Sequence, residues 1–110
     1  MRLSGTGIAL GASIVWLALA GAGQPVAAPG ADAAAGRVLA ERWCSGCHLV
    51  DDQQPQGNDG VPTFRSIGAK PWTDATFAAA IASPHPPMPK LDLTRKEMAD
   101  LLAFVRSRAQ

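Results

Sequence analysis

The sequence predicts a small all-α domain of three to four helices, and three stretches carry that prediction. Thr94-Arg95-Lys96-Glu97 is a T-x-x-E capping box, and Leu93 before the cap can staple to Met98 at the fourth helical position. Behind it Met98, Leu101, Leu102 and Val105 recur at helical spacing and Phe104 widens the stripe, so a helix should run from Arg95 to about Arg108. Arg106 and Arg108 put positive charge at its C-terminal end, where the dipole favours it. Ala31 to Trp43 is rich in the good helix formers Ala, Leu, Glu and Arg, with Asp32 expected in the first turn and Arg42 in the last. Thr73 to Ser83 is the third stretch: Thr73 can cap it, Phe77 and Ile81 fall four apart on one face, and Pro84 stops it. A chain of 110 residues holds one domain at most. A mature domain of this size buries few apolar residues and needs a staple.

The staple is legible at Cys44-Ser45-Gly46-Cys47-His48. Two cysteines separated by two residues, with a histidine at once after the second, form the attachment pattern for c-type haem. Cys44 and Cys47 would hold the porphyrin edge through two thioethers, and His48 would stand against one face of the ring as an iron ligand. Gly46 is expected to keep the turn clear of a side chain. A redox dithiol would want a strand–helix setting, and none precedes the motif. A zinc site would want a second cysteine pair, and the chain has one other histidine, His85. A disulfide across so short a loop would stabilise little. There is no second C-x-x-C-H and no internal repeat, so one haem is expected.

The first residues read as an export signal. Arg2 is the only charge before Asp32, and Ile8 to Ala20 is a compact apolar run. Ala20-Gly21-Ala22 suits signal peptidase, and cleavage as late as residue 28 has a second candidate in Val26-Ala27-Ala28. The run is short for a membrane span, which needs about 20 apolar residues. The alternative is an uncleaved N-terminal anchor to the inner membrane. Residues 1–22 are therefore expected to be a signal peptide, 23–30 a flexible lead and 31–110 the domain. Losing Arg2 would leave nine basic against nine acidic residues, with no broad basic footprint for nucleic acid. No phosphate-binding loop, dinucleotide turn or nucleophile elbow is present in the sequence.

Two segments join the expected helices. Leu49 to Lys70 carries turn residues such as Gly57-Asn58-Asp59-Gly60 and no helical period, so it reads as a loop wrapped on the haem with Val61, Phe64 and Ile67 inward. Pro84 to Pro89 contains four prolines and presents one thioether, Met88. A rigid loop offering a methionine suits the sixth ligand position, and Met88 is preferred there to His85. Gly36 lies inside the first helix, where it costs about 1 kcal/mol relative to Ala, so another helix should approach it closely.

These residues resemble the small bacterial class I cytochromes c over about Ala31 to Arg108. The resemblance implies that Gly36, eight residues before Cys44, packs on the C-terminal helix at Leu101 and Phe104. It implies that the carbonyl of Pro62 receives the N–H of His48, and that Pro87-Met88-Pro89 is the ligand loop. Trp72 resembles a tryptophan that reaches a haem propionate. The family's aromatic four residues before the first cysteine is Ala40 here, so Trp43 or Leu39 is expected to compensate.

The function this implies is one-electron transfer in the periplasm by one covalent haem with His48 and Met88 as metal ligands. The partners would be redox proteins: a periplasmic dehydrogenase, a membrane reductase or a terminal oxidase. The competing reading is a gas sensor or peroxidase-like haem protein with a displaceable sixth ligand. Lys70, Lys90, Arg95 and Lys96 are candidates for a basic ring that steers an acidic partner.

Overall fold

The computed structural model describes residues 30–83 and 85–110. The expected signal segment, nearly all of the lead and the helix stop at Pro84 lie outside the described residues. Among the described residues there are four helices and no strand: α1 (Ala33–Trp43), α2 (Phe64–Gly68), α3 (Asp74–Ala82) and α4 (Arg95–Ser107).

Each helix begins where a side chain satisfies its free N–H groups. Asp32 is the N-cap of α1 rather than part of its first turn, accepting from the N–H groups of Ala34 at 2.8 Å and Ala35 at 3.3 Å. Thr94 and Glu97 form the expected reciprocal box on α4, with bonds of 3.2 and 2.8 Å. Thr73 and Thr76 form a second box on α3 at 3.1 and 2.9 Å, which a threonine at the third position completes in place of Glu. Helix α2 corrects the reading of Leu49 to Lys70 as loop throughout. Five residues are too few to show a 3.6-residue period, and its cap, Thr63 accepting from Ser66 N–H at 3.2 Å, resembles any turn threonine.

Helix α4 is the hub on which the other three pack, and α1 makes the most extensive of these contacts. A Cβ on Gly36 would overlap the backbone carbonyl of Asp100, which accounts for glycine inside α1. Gly68 of α2 lies against the Val105 carbonyl in the same way. Leu101 and Phe104 are buried under these crossings with Leu102 and Val105. Ala40 is fully buried, and Leu39 packs on the core beside it. Trp43 does not compensate for the missing aromatic: it is 48% exposed, with the Arg42 guanidinium 4.9 Å from its ring centre. Of the two expected substitutes, it is Leu39 that packs on the core.

Asp100 ties the start of α1 to α4. It is 4% exposed, and its carboxylate accepts from Asp32 N–H at 2.7 Å and from Lys96 Nζ at 2.7 and 2.9 Å. The Lys96 hydrogen bond first, then the Asp32 N–H, hold this carboxyl below the usual carboxylate range. A folded-state pKa below the unfolded value stabilises above about pH 4 and ceases to do so as pH falls through the folded value. The melting temperature of the wild type should therefore fall on acidification below about pH 4. Asp100→Asn should melt lower at neutral pH and show a flatter acid limb. Parallel acid limbs in thermal circular dichroism would remove this role.

Candidate cofactor site

The C-x-x-C-H segment leaves the end of α1 as a tight turn. The N–H groups of Cys44 and Ser45 both donate to Ala40 O, and those of Cys47 and His48 both donate to Cys44 O. Gly46 is not in the left-handed region, so the turn itself does not demand glycine there. Neither cysteine is in a disulfide; Cys44 is buried and Cys47 half-buried. Burial pushes the Cys44 thiol up to about 11. A raised thiol is a poor nucleophile, unlike the lowered attacking thiol of a redox dithiol. Among the described residues no three of His, Cys, Asp and Glu gather as a metal cluster.

The turn opens on an apolar cleft. A cavity of about 260 Å³ has Cys44, His48 and Met88 on its wall with Phe64, Phe77, Leu101 and Val105 behind them. A second lobe of about 80 Å³ is bounded by Cys47, Val61, Pro87 and Pro89. Cys44, His48, His85 and Met88 border both lobes, so the two cysteines, the histidine and the methionine face one space. The inward residues expected of the long loop are there: Phe64 is buried and Ile67 and Val61 line the cleft.

His48 is oriented from behind. Its Nδ1 lies 2.6 Å from Pro62 O, and a carbonyl only accepts, so Nδ1 carries the proton and donates. That leaves Nε2 with its lone pair, the form a metal ligand needs, and the bond raises its basicity. The ring also stands 5.8 Å from Phe64. On the proline loop, Met88 N–H donates to His85 O at 2.8 Å. Met88 is half-buried and packs on the core, while His85 is exposed.

Two expectations are corrected here. Trp72 lines the cleft, but its indole N–H donates to Ile67 O at 2.8 Å and its ring meets Phe77 edge-on at 5.6 Å. The N–H is already engaged, so this arrangement does not offer it to a propionate. The basic ring also divides. Lys70 lines the cleft, Lys96 is held by Asp100, and Arg95 borders a different groove with Asp74 and Met98. Lys90 is exposed between two residues of the second lobe, Pro89 and Leu91.

One contributor had no signal in the sequence. The side-chain amide of Gln54 donates to the carbonyls of Ser45 at 2.9 Å and His48 at 3.0 Å, and its oxygen accepts from Val50 N–H at 3.1 Å. Gln54 reads as one polar residue among many in a loop, and no spacing distinguishes it from a solvated glutamine.

Helices closing an apolar cleft over a C-x-x-C-H turn, with the histidine held through Nδ1, define a protein shaped to carry a covalent haem. The comparisons agree. The cytochrome c family model matches residues 33–109. The chain is 37% identical over 94 residues to cytochrome c-552 of Bradyrhizobium diazoefficiens, a match covering 84% of this chain and 90% of that protein. No solved structure matches it. The chain belongs to the cytochrome c family, as a small class I c-type cytochrome. It carries one covalently bound c-type haem and is a haem-based electron carrier.

Proposed function

We propose that the protein is a periplasmic one-electron carrier in which Cys44 and Cys47 form the two thioethers and His48 and Met88 are the axial ligands. The observation that carries this reading is that His48 and Met88 border the same apolar cleft, with His48 tethered through Nδ1 to Pro62. The haem supplies one-electron chemistry between ferric and ferrous iron. The chain's residues set its conditions. The Pro62 bond keeps His48 in one tautomer and one orientation. The thioether of Met88 favours the ferrous state and raises the potential. Phe64, Phe77, Leu101 and Val105 exclude water from the inner wall. With His48 and Met88 both holding the iron there would be no open position for a substrate, which fits a carrier rather than an enzyme or gas sensor. Its partners are then other redox proteins of that compartment: a dehydrogenase, a membrane reductase or a terminal oxidase. Among the described residues no helix is long and apolar enough to cross a membrane.

The sixth ligand is tested by paired substitutions. The ferric holoprotein should show the weak charge-transfer band of a methionine–iron bond at the red edge of its visible spectrum. Met88→Ala should abolish that band and lower the potential, and His85→Ala should preserve both. If His85→Ala removes six-coordination and Met88→Ala leaves it, the ligand is His85 and the protein is a lower-potential carrier. Both side chains border the cleft; Met88 is preferred because it is half-buried and packed against the core, whereas His85 is largely exposed.

A further inference from the structure

We infer that Gln54 is a positioning residue for His48, setting the orientation of the axial imidazole through the peptide that bears it; the inference rests on His48 being the ligand.

The carbonyls around the C-x-x-C-H turn each have a partner except that of Gly46, for which no bond is found among the described residues. Cys44 O accepts within the turn, Cys47 O accepts from Asn58 N–H at 2.9 Å, and Leu49 O accepts from Phe64 N–H at 2.9 Å. Those bonds are backbone to backbone and do not depend on side-chain identity. The carbonyls of Ser45 and His48 are served by one side chain, Gln54. Its amide nitrogen also lies 2.9 Å from Gln56 O. Three acceptors share two N–H groups, so at least one hydrogen is bifurcated. The amide oxygen meets Val50 N–H, two residues beyond His48. Gln54 thus grips the chain on both sides of the histidine.

Gln54 is itself held in place. Its own N–H and that of Gln53 donate to Asp51 Oδ1 at 3.1 and 2.9 Å, and Asp51 Oδ2 accepts from Arg37 of α1 at 2.8 Å. The grip is therefore anchored on a buried carboxylate and, through Arg37, on the helix that leads into the motif. His48 is restrained by Pro62 at its Nδ1, by the bond of its own N–H to Cys44 O, and by Gln54 at its carbonyl. Loss of the Gln54 bonds lets the His48 peptide tilt and so weakens the Pro62 bond, and second-shell bonds of this kind tune the ligand's basicity.

The shape of glutamine is needed as well as its polarity. Glutamate at 54 keeps the acceptor for Val50 but has no donor when ionised and faces three carbonyl oxygens. Leucine keeps the bulk and loses every bond. Gln53→Leu is the control in the same loop, because the hydrogen bond found for Gln53 runs from its backbone.

The experiment uses holoprotein carrying Gln54→Leu, Gln54→Glu or Gln53→Leu, with two readouts beside thermal melting. One is solvent exchange of the His48 Nδ1 proton by NMR. The other is the ferric-to-ferrous ratio at one fixed applied potential. Both Gln54 variants should speed the exchange by about tenfold, the factor for disrupting the one Nδ1–Pro62 hydrogen bond that protects this proton, and shift the ratio; Gln53→Leu should do neither. Should Gln54→Leu not yield folded protein, Gln54→Glu alone carries the test. Lower melting with unchanged exchange and unchanged ratio would reduce Gln54 to a loop pin and overturn the inference. Failure of the ligand reading shows elsewhere: the unmutated protein would lack paramagnetically shifted His48 ring signals, which overturns the positioning role with it.

Discussion

Cys44→Ser and Cys47→Ser should each abolish double thioether attachment and most accumulation of the protein. The physical reason is the cleft. The described domain has few fully buried large side chains, chiefly Leu101, Leu102, Val50 and Val105, and much of its remaining apolar surface lines the cofactor space. A domain this small without its staple is marginal. The two substitutions should not be equal. Cys44 is buried and borders both lobes, whereas Cys47 is half-buried and borders only the smaller one. Serine at 44 adds the cost of a hydroxyl in an apolar wall, about 1–3 kcal/mol, so Cys44→Ser should accumulate less than Cys47→Ser. Haem stain, pyridine haemochrome spectra and immunoblots of the exported fraction measure this. Wild-type amounts of Cys44→Ser protein with a two-thioether spectrum would exclude Cys44 as an attachment site.

Gly36→Val should lower the melting temperature of the holoprotein by about 10 °C, as an overpacking cost of about 1–3 kcal/mol implies for a domain of this size. The neighbour that a side chain would meet is the Asp100 peptide, with the Leu101 nitrogen beside it. Backbone cannot rotate aside as the tip of a side chain can, so α1 and α4 must separate. That separation also strains the Asp32–Asp100 bond at the start of α1. Gly36→Ala gives a sharper test because two effects oppose in sign. Helix propensity alone would stabilise α1 by about 1 kcal/mol, while the close approach predicts destabilisation. A Gly36→Ala protein that melts above wild type would refute the helix contact.

The caps of α3 and α4, the stripe on α4 and the haem motif were all legible because each depends on residues within a few positions of one another. Thr94 meets Glu97, Phe77 meets Ile81, and Cys44 meets Cys47 whatever the rest of the chain does. Gly36 was legible as a cost needing a reason, and the resemblance supplied the partner that the helix crossing now displays. Pro62 came from the resemblance as well, since a proline carbonyl in a loop has no signature of its own.

What the tertiary structure decided is which of several available partners each group meets, near or far along the chain. Helix α2 exists because Gly68 can lie on Val105 and Phe64 can fill the core. Trp43 and Trp72 look alike as apolar indoles; packing exposes one and commits the N–H of the other to Ile67. Lys96 looks like a free surface charge, yet it serves Asp100 at the α1–α4 junction. Gln54 is the plainest case, because its value lies in how the stretch from Ser45 to Gln56 folds back on its side chain. The attachment pattern for a covalent haem, Cys44 and Cys47 with His48 after them, and the local starts of the helices are written in the sequence alone. Only the folded chain determined which polar groups hold that chemistry in place, because backbone carbonyls carry no residue code and their partners are chosen by packing.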